Sequence, residues 1–173
     1  MRHGTAAGLA ACFFGLLLGC APTRHWTSTP AFTTLETPQF EAQLIPLHSG
    51  KNFINQFRLV IANRTDKPME LDWFNTHYLL NGTRRGRFFY EGLDPSAVKN
   101  PPPETIPAGQ EYVNVITPLS LIAWRGAKPG YEDLPAFSAG PVPEGENGIL
   151  LVLKQGEQVY RETLSVVIRV EAR

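Results

Sequence analysis

Cysteine is nearly missing from this chain: it occurs at Cys12 and Cys20 and nowhere later in the 173 residues. The body therefore has no disulfide and no thiol nucleophile, and packing alone must hold it together. Charge bias is missing too. Lys plus Arg and Asp plus Glu number 16 each, so nothing general argues for nucleic acid as a partner. No stretch beyond the first twenty residues has a helical spacing of apolar side chains. What the chain does have is 43% hydrophobic residues, enough for a globular core, with 15 Gly and 15 Pro. That composition suits short strands joined by many turns.

The only long uncharged run lies at the start. Arg2 gives a short positive beginning, and residues 4–23 carry no Asp, Glu, Lys or Arg. The apolar stretch 6–18 has the length of a signal-peptide core and is short for a membrane span. It ends in Leu17-Leu18-Gly19-Cys20. This ending resembles the bacterial lipobox, with Leu17 and Gly19 carrying the match. The resemblance implies a signal peptide over residues 1–19 and cleavage between Gly19 and Cys20. It also implies a diacylglycerol thioether on Cys20 and an acyl chain, such as palmitate, on the new amine. Each buried methylene contributes roughly 0.8 kcal/mol, so two or three chains make a stable anchor. Ala21 after the cysteine, where Asp favours inner-membrane retention, points to the outer membrane of a Gram-negative envelope. Two other readings exist: an ordinary cleaved signal with an incidental Cys20, and an uncleaved membrane helix. Gly4, Gly8, Gly15, Gly19 and Pro22 argue against the second.

Residues 21–38, APTRHWTSTPAFTTLETP, are rich in Thr and Pro and show no period. They are expected to form, with the lipidated Cys20, a flexible tether over 20–38 that spans about 60 Å when stretched. Trp26 and Phe32 would then touch the membrane interface or the domain surface.

The folded domain is expected over residues 39–173. Phe40, Ala42 and Leu44 alternate with polar residues, as do Phe57, Leu59 and Ile61 with Gln56 and Arg58. Residues 63–68 (NRTDKP) make a turn that Pro68 stops. Asn81-Gly82 between apolar runs is a hairpin signal, with Phe88-Phe89-Tyr90 as the expected return strand. Strands are also expected over 112–117, 119–124 and 149–154. After a turn at Gln155-Gly156-Glu157 a final strand is expected, in which Tyr160, Leu164, Val166, Ile168 and Val170 share a face opposite Arg161, Thr163, Ser165 and Arg169. Seven or eight short strands make an all-β antiparallel β-sandwich, with a small β-barrel as the rival. Phe57-Arg58-Leu59-Val60-Ile61-Ala62-Asn63 with its turn, and Ile106-Pro107-Ala108-Gly109, resemble the immunoglobulin-like domains of bacterial envelope lipoproteins. Two long connections, 91–105 and 126–147, are expected at one end.

A search for chemistry finds no catalytic, cofactor or metal constellation. A blue-copper site needs a Cys with two His, and the body lacks the Cys. His48 and His77 read as turn residues, and Asp66, Asp72, Glu91 and Asp94 as solvated acids. No Gly-rich phosphate loop and no nucleophile elbow is present. The densest unusual segment runs from Trp73 to Tyr90. Aromatic residues and Arg are enriched in interface hot spots, so Trp73, Tyr78, Arg84, Arg85 and Arg87 form the candidate interaction set. The competing reading fills the core with the aromatics and solvates an edge hairpin with the arginines. The chain reads first as a membrane-anchored, non-enzymatic interaction module whose partner is an envelope protein or an anionic envelope component. The alternative is a small-ligand or peptide binder, of protease-inhibitor type, that uses the long loops. A hydrolase assembled across strands comes third.

Overall fold

The computed structural model describes residues 24–48, 50, 52–124 and 137–172. The expected signal peptide, the lipidation site Cys20 and residues 126–136 of the 126–147 loop lie outside them.

The chain enters the fold much earlier than its composition suggests. β1 (Arg24–Thr29) pairs along its whole length with the last strand of the protein, from Arg24 opposite Ala172 to Thr29 opposite Val167. β2 (Thr33–Glu36) then joins the other sheet, opposite residues 41–44. Residues 24–36 are thus structural strands, and the expected tether to residue 38 is corrected. The segment was hard to recognise because edge strands are held mainly by ladder hydrogen bonds and need few apolar side chains. Here Trp26 and Leu35 suffice, both packed against the core. Phe32, between the strands, stays 53% exposed.

β3 (Phe40–Leu47) and β4 (Gln56–Asn63) follow as an antiparallel pair. Their alternation puts Phe40, Ala42, Leu44, Phe57, Leu59 and Ile61 in the core. The turn after β4 is organised by Asn63, a buried residue. Its amide donates to the Lys67, Ile106 and Pro107 carbonyls, and its oxygen accepts from the Thr65 backbone and hydroxyl. One side chain therefore ties together the two turn motifs read from the sequence.

β5 (Met69–Leu71) and β6 (His77–Leu80) are two halves of one interrupted strand, for both pair with β13 (Gly145–Gln155). At the interruption the Asp72 N–H donates to Val152 O at 2.9 Å, while the Val152 N–H donates to the Thr76 hydroxyl at 3.1 Å. The bulged turn leaves the buried ladder groups satisfied and tips Trp73 into the core at 1% exposure.

The hairpin at Asn81-Gly82 forms, with φ 50° and 71° at the two turn residues, the positive values a two-residue primed turn requires. Its return strand is β7 (Thr83–Gly86), however, not 88–90. β8 (Phe88–Tyr90) crosses to the opposite sheet and pairs with β10 (Glu111–Pro118). The reason is in the burial. Phe88, Phe89 and Tyr90 are all buried, whereas every residue of β7 is exposed. Three consecutive buried aromatics need cover on both faces of a strand, and beside β10 they have it: Phe88 meets Tyr78, Tyr90 stacks on Trp73, and Phe89 meets Phe137 on the other face.

The connection 91–105 has structure of its own: a 3₁₀ turn at Pro95–Ala97 capped by Asp94, then β9 (Glu104–Ile106) pairing with β5. After β10, a 3₁₀ turn at Leu119–Leu121 replaces the first half of the strand expected over 119–124. The short strands β11 (Ile122–Trp124) and β12 (Phe137–Ala139) then pair with each other. β13 and β14 (Gln158–Ala172) close the fold as its longest hairpin.

One sheet runs β2-β3-β4-β10-β8. The other runs β1-β14-β13, and then β5 with β9 or β6 with β7. With β3, β4, β10 and β8 as strands A, B, E and D, and β5–β6, β13 and β14 as C, F and G, this is the connectivity of an immunoglobulin-like sandwich. The sheets are open, not closed into a barrel.

Candidate interaction surface

The structure divides the five candidate residues. Trp73 is core: its ring stacks on Tyr90 with centroids 4.4 Å apart and meets Tyr112 edge-on at 6.4 Å. Tyr78 is core as well, 1% exposed and edge-on to Phe88. Its hydroxyl donates to Asn147 Oδ1, and the Asn147 amide donates to the Pro143 and Gly145 carbonyls at 2.8 and 2.9 Å. Neither aromatic can reach a partner, which corrects the expectation for both. Burial pushes the Tyr78 hydroxyl up to about 12, with Arg85 opposing. It pushes Tyr112 to about 12 as well, although the Asn114 amide donates to that oxygen.

Arg87 is committed to the fold too. Its Nε donates to Phe74 O at 3.1 Å and its Nη1 to Lys99 O at 2.8 Å, and the guanidinium lies 4.1 Å above the Phe74 ring. It fastens the crossover between the sheets, a use of the planar guanidinium that a lysine would not reproduce.

Arg84 and Arg85 remain. Both are on β7, both are exposed, and neither forms an ion pair among the described residues. The hairpin that carries them is clasped to β13. The Asn81 N–H donates to Glu146 O at 2.8 Å, and the Glu146 N–H donates back to Asn81 Oδ1 at 2.9 Å. Gly145 lies beneath the Asn81 side chain at φ 121°, where a Cβ would come 2.6 Å from Oδ1. The two arginines therefore project from a supported flap.

Two features escaped the sequence reading. Asp72, expected as a solvated acid, is 5% exposed and pairs with Lys154 Nζ at 2.6 Å. Burial pushes its carboxyl up, but the Lys154 ammonium and the Asn75 donors outweigh that and hold it below its ordinary value. The sequence signal was the pair Asp72 and Asn75, which makes an Asx-type turn with its own backbone. His25, expected in the tether, stacks on His48 with centroids 6.2 Å apart. His77 turns elsewhere, its Nδ1 lying 2.6 Å from Asn75 O.

Open pockets lie among the described residues. One of about 300 Å³ is lined by Gln56, Phe89, Glu91, Val115, Thr117 and Phe137. Another, about 420 Å³, includes Glu70, Thr105 and Lys154, and its one ammonium is already engaged by Asp72. Among the described residues, no three His, Cys, Asp or Glu are placed to share a metal ion, and no helix is long and apolar enough to cross a membrane. Comparison with protein-family models, with curated proteins and with solved structures found no match.

Proposed function

We propose that the protein is a lipid-anchored lipoprotein of the bacterial cell envelope whose immunoglobulin-like sandwich is a non-enzymatic interaction module. The observation that carries this reading is Leu17-Leu18-Gly19-Cys20 at the end of an uncharged run. The body supports it in a second way. Its aromatic and polar clusters are spent on packing: Trp73, Tyr78 and Arg87 serve the core and the crossover. That leaves Arg84 and Arg85 as the free groups of the candidate set, on a surface suited to contact and not to turnover.

Between β1, described from Arg24, and Cys20 stand three residues, Ala21, Pro22 and Thr23. They reach at most about 14 Å, far less than the expected tether. The module therefore works close to the membrane that holds it, and its partner is an envelope protein or anionic component at that surface. The test is production in a lipidating host. The mature N-terminal peptide should begin at Cys20 and carry diacylglycerol plus an amide-linked acyl chain, and the protein should sediment with membranes. A soluble mature protein with a free thiol at position 20 would refute the anchor. In-cell cross-linking through a photoreactive residue at position 85 would then identify the partner.

A further inference from the structure

We propose that the β6–β7 hairpin is a second membrane contact, with Arg84 and Arg85 engaging anionic headgroups of the bilayer that holds the lipid. This rests on the anchor at Cys20 and adds a seating geometry to it.

The connection to the anchor is short. β1 is locked to β14 by a six-residue ladder, and the Trp26 indole donates to Val142 O at 3.3 Å while its ring meets Phe53 edge-on. The strand leaving the anchor is thus a rigid part of the sandwich. A domain held on three residues by a rigid strand cannot drift from the bilayer, so the end that carries Arg24 faces the headgroups.

The hairpin turn points toward the same end. Arg24 is level with Ala172, and Leu80 is level with Asn147, which is level with Val166. The turn therefore stops about 15 Å short of Arg24 along the strands and lies about 19 Å to the side, four strand spacings away. A lean of roughly 40° about the start of β1 brings both to one plane.

Charge selects the occupant. From Trp73 to Tyr90 there are three arginines and no acid, and with Arg87 occupied, Arg84 and Arg85 are the exposed cations. Among the described residues, the other acids at this end are Glu144, Glu146 and Glu171. The Glu146 carboxylate accepts from the Ser165 hydroxyl at 2.7 Å, and Glu171 lies across the ladder from His25. Two arginines at an anionic surface correspond to a roughly thirtyfold bias toward the seated state.

The test uses the acylated protein reconstituted in vesicles of phosphatidylcholine with or without phosphatidylglycerol. After processing, Cys20 is a thioether, so a cysteine introduced by Thr83→Cys is the sole free thiol and takes a nitroxide. Glu157→Cys labels the opposite end. With phosphatidylglycerol, the label at 83 should be shielded severalfold from a water-soluble nickel relaxant, and the label at 157 should stay fully accessible. Omitting phosphatidylglycerol, or adding Arg84→Ala with Arg85→Ala, should abolish the shielding while circular dichroism stays unchanged. Equal accessibility at 83 and 157 in the acylated protein overturns the seating and leaves the anchor standing. Shielding that persists in pure phosphatidylcholine or in the double variant overturns the anionic contact. Absence of acyl mass at Cys20 overturns both readings.

Discussion

The two hairpins that meet where Asn147 of β13 pairs with Leu80 of β6 share a two-residue turn with positive φ and little else. β6–β7 turns through Asn81 and Gly82, and β13–β14 through Gly156 and Glu157, with positive φ at Asn81, Gly82 and Gly156. Along β13–β14, Ile149, Leu151, Leu153, Leu164, Val166 and Ile168 are buried, so the hairpin forms the spine of one sheet. In β7 nothing is buried, and that strand has one neighbour. Turn chemistry makes a hairpin, but what the strands bury decides whether it carries the fold or is carried by it. β7 can thus bear solvent-facing arginines at no cost to the core.

Side-chain truncation in each hairpin separates the two most widely. Leu151→Ala should cost about 2–5 kcal/mol of unfolding free energy through the cavity it leaves, read from urea titration. Arg84→Ala should change stability by less than about 0.5 kcal/mol. Asn147→Ala should come next. It leaves the Tyr78 hydroxyl and the Pro143 and Gly145 carbonyls without their partner, for about 2–3 kcal/mol. Tyr78→Phe in the same background should recover part of that loss.

Gly145→Ala probes the clasp between the hairpins. Positive φ and the contact with Asn81 should together cost about 1–3 kcal/mol, while Gly82→Ala, which meets open space, should cost about 1 kcal/mol from φ alone.

The ionisable groups give the smallest effects. Asp72 has a folded value below its unfolded one. Its contribution is present above the unfolded carboxylate range and is lost as pH falls through the folded value, so Asp72→Asn should flatten the acid limb of the denaturation midpoint against pH. Tyr78 and Tyr112, raised to about 12, act in the opposite direction. Their contribution is complete below pH 10 and declines as pH rises toward 12, which absorbance at 295 nm during base unfolding would follow.

Much of the core could be read directly, because period-two alternation reports burial on one face. Phe40, Ala42 and Leu44 in β3 and Leu164, Val166 and Ile168 in β14 lie where alternation puts them. The turn at 63–68 and the Asn81-Gly82 hairpin were legible from residue types that tolerate special φ. The candidate surface was only half legible. An arginine on a strand looks the same whether it projects to solvent, as Arg84 does, or reaches across to Phe74 and Lys99, as Arg87 does. Trp73 and Tyr78 posed the same problem, since aromatics serve cores and interfaces alike.

What the amino-acid order alone determined is local: strand periods, turn positions, the apolar start with its cysteine, and hence an all-β fold. What tertiary structure decided is non-local. It put Thr- and Pro-rich residues 24–36 into both sheets, sent 88–90 across to β10, and buried Asp72 against Lys154. Each of these depends on a backbone edge or a charge supplied by chain 20 or more residues away except β2 on β3, and no local pattern records that such a partner exists.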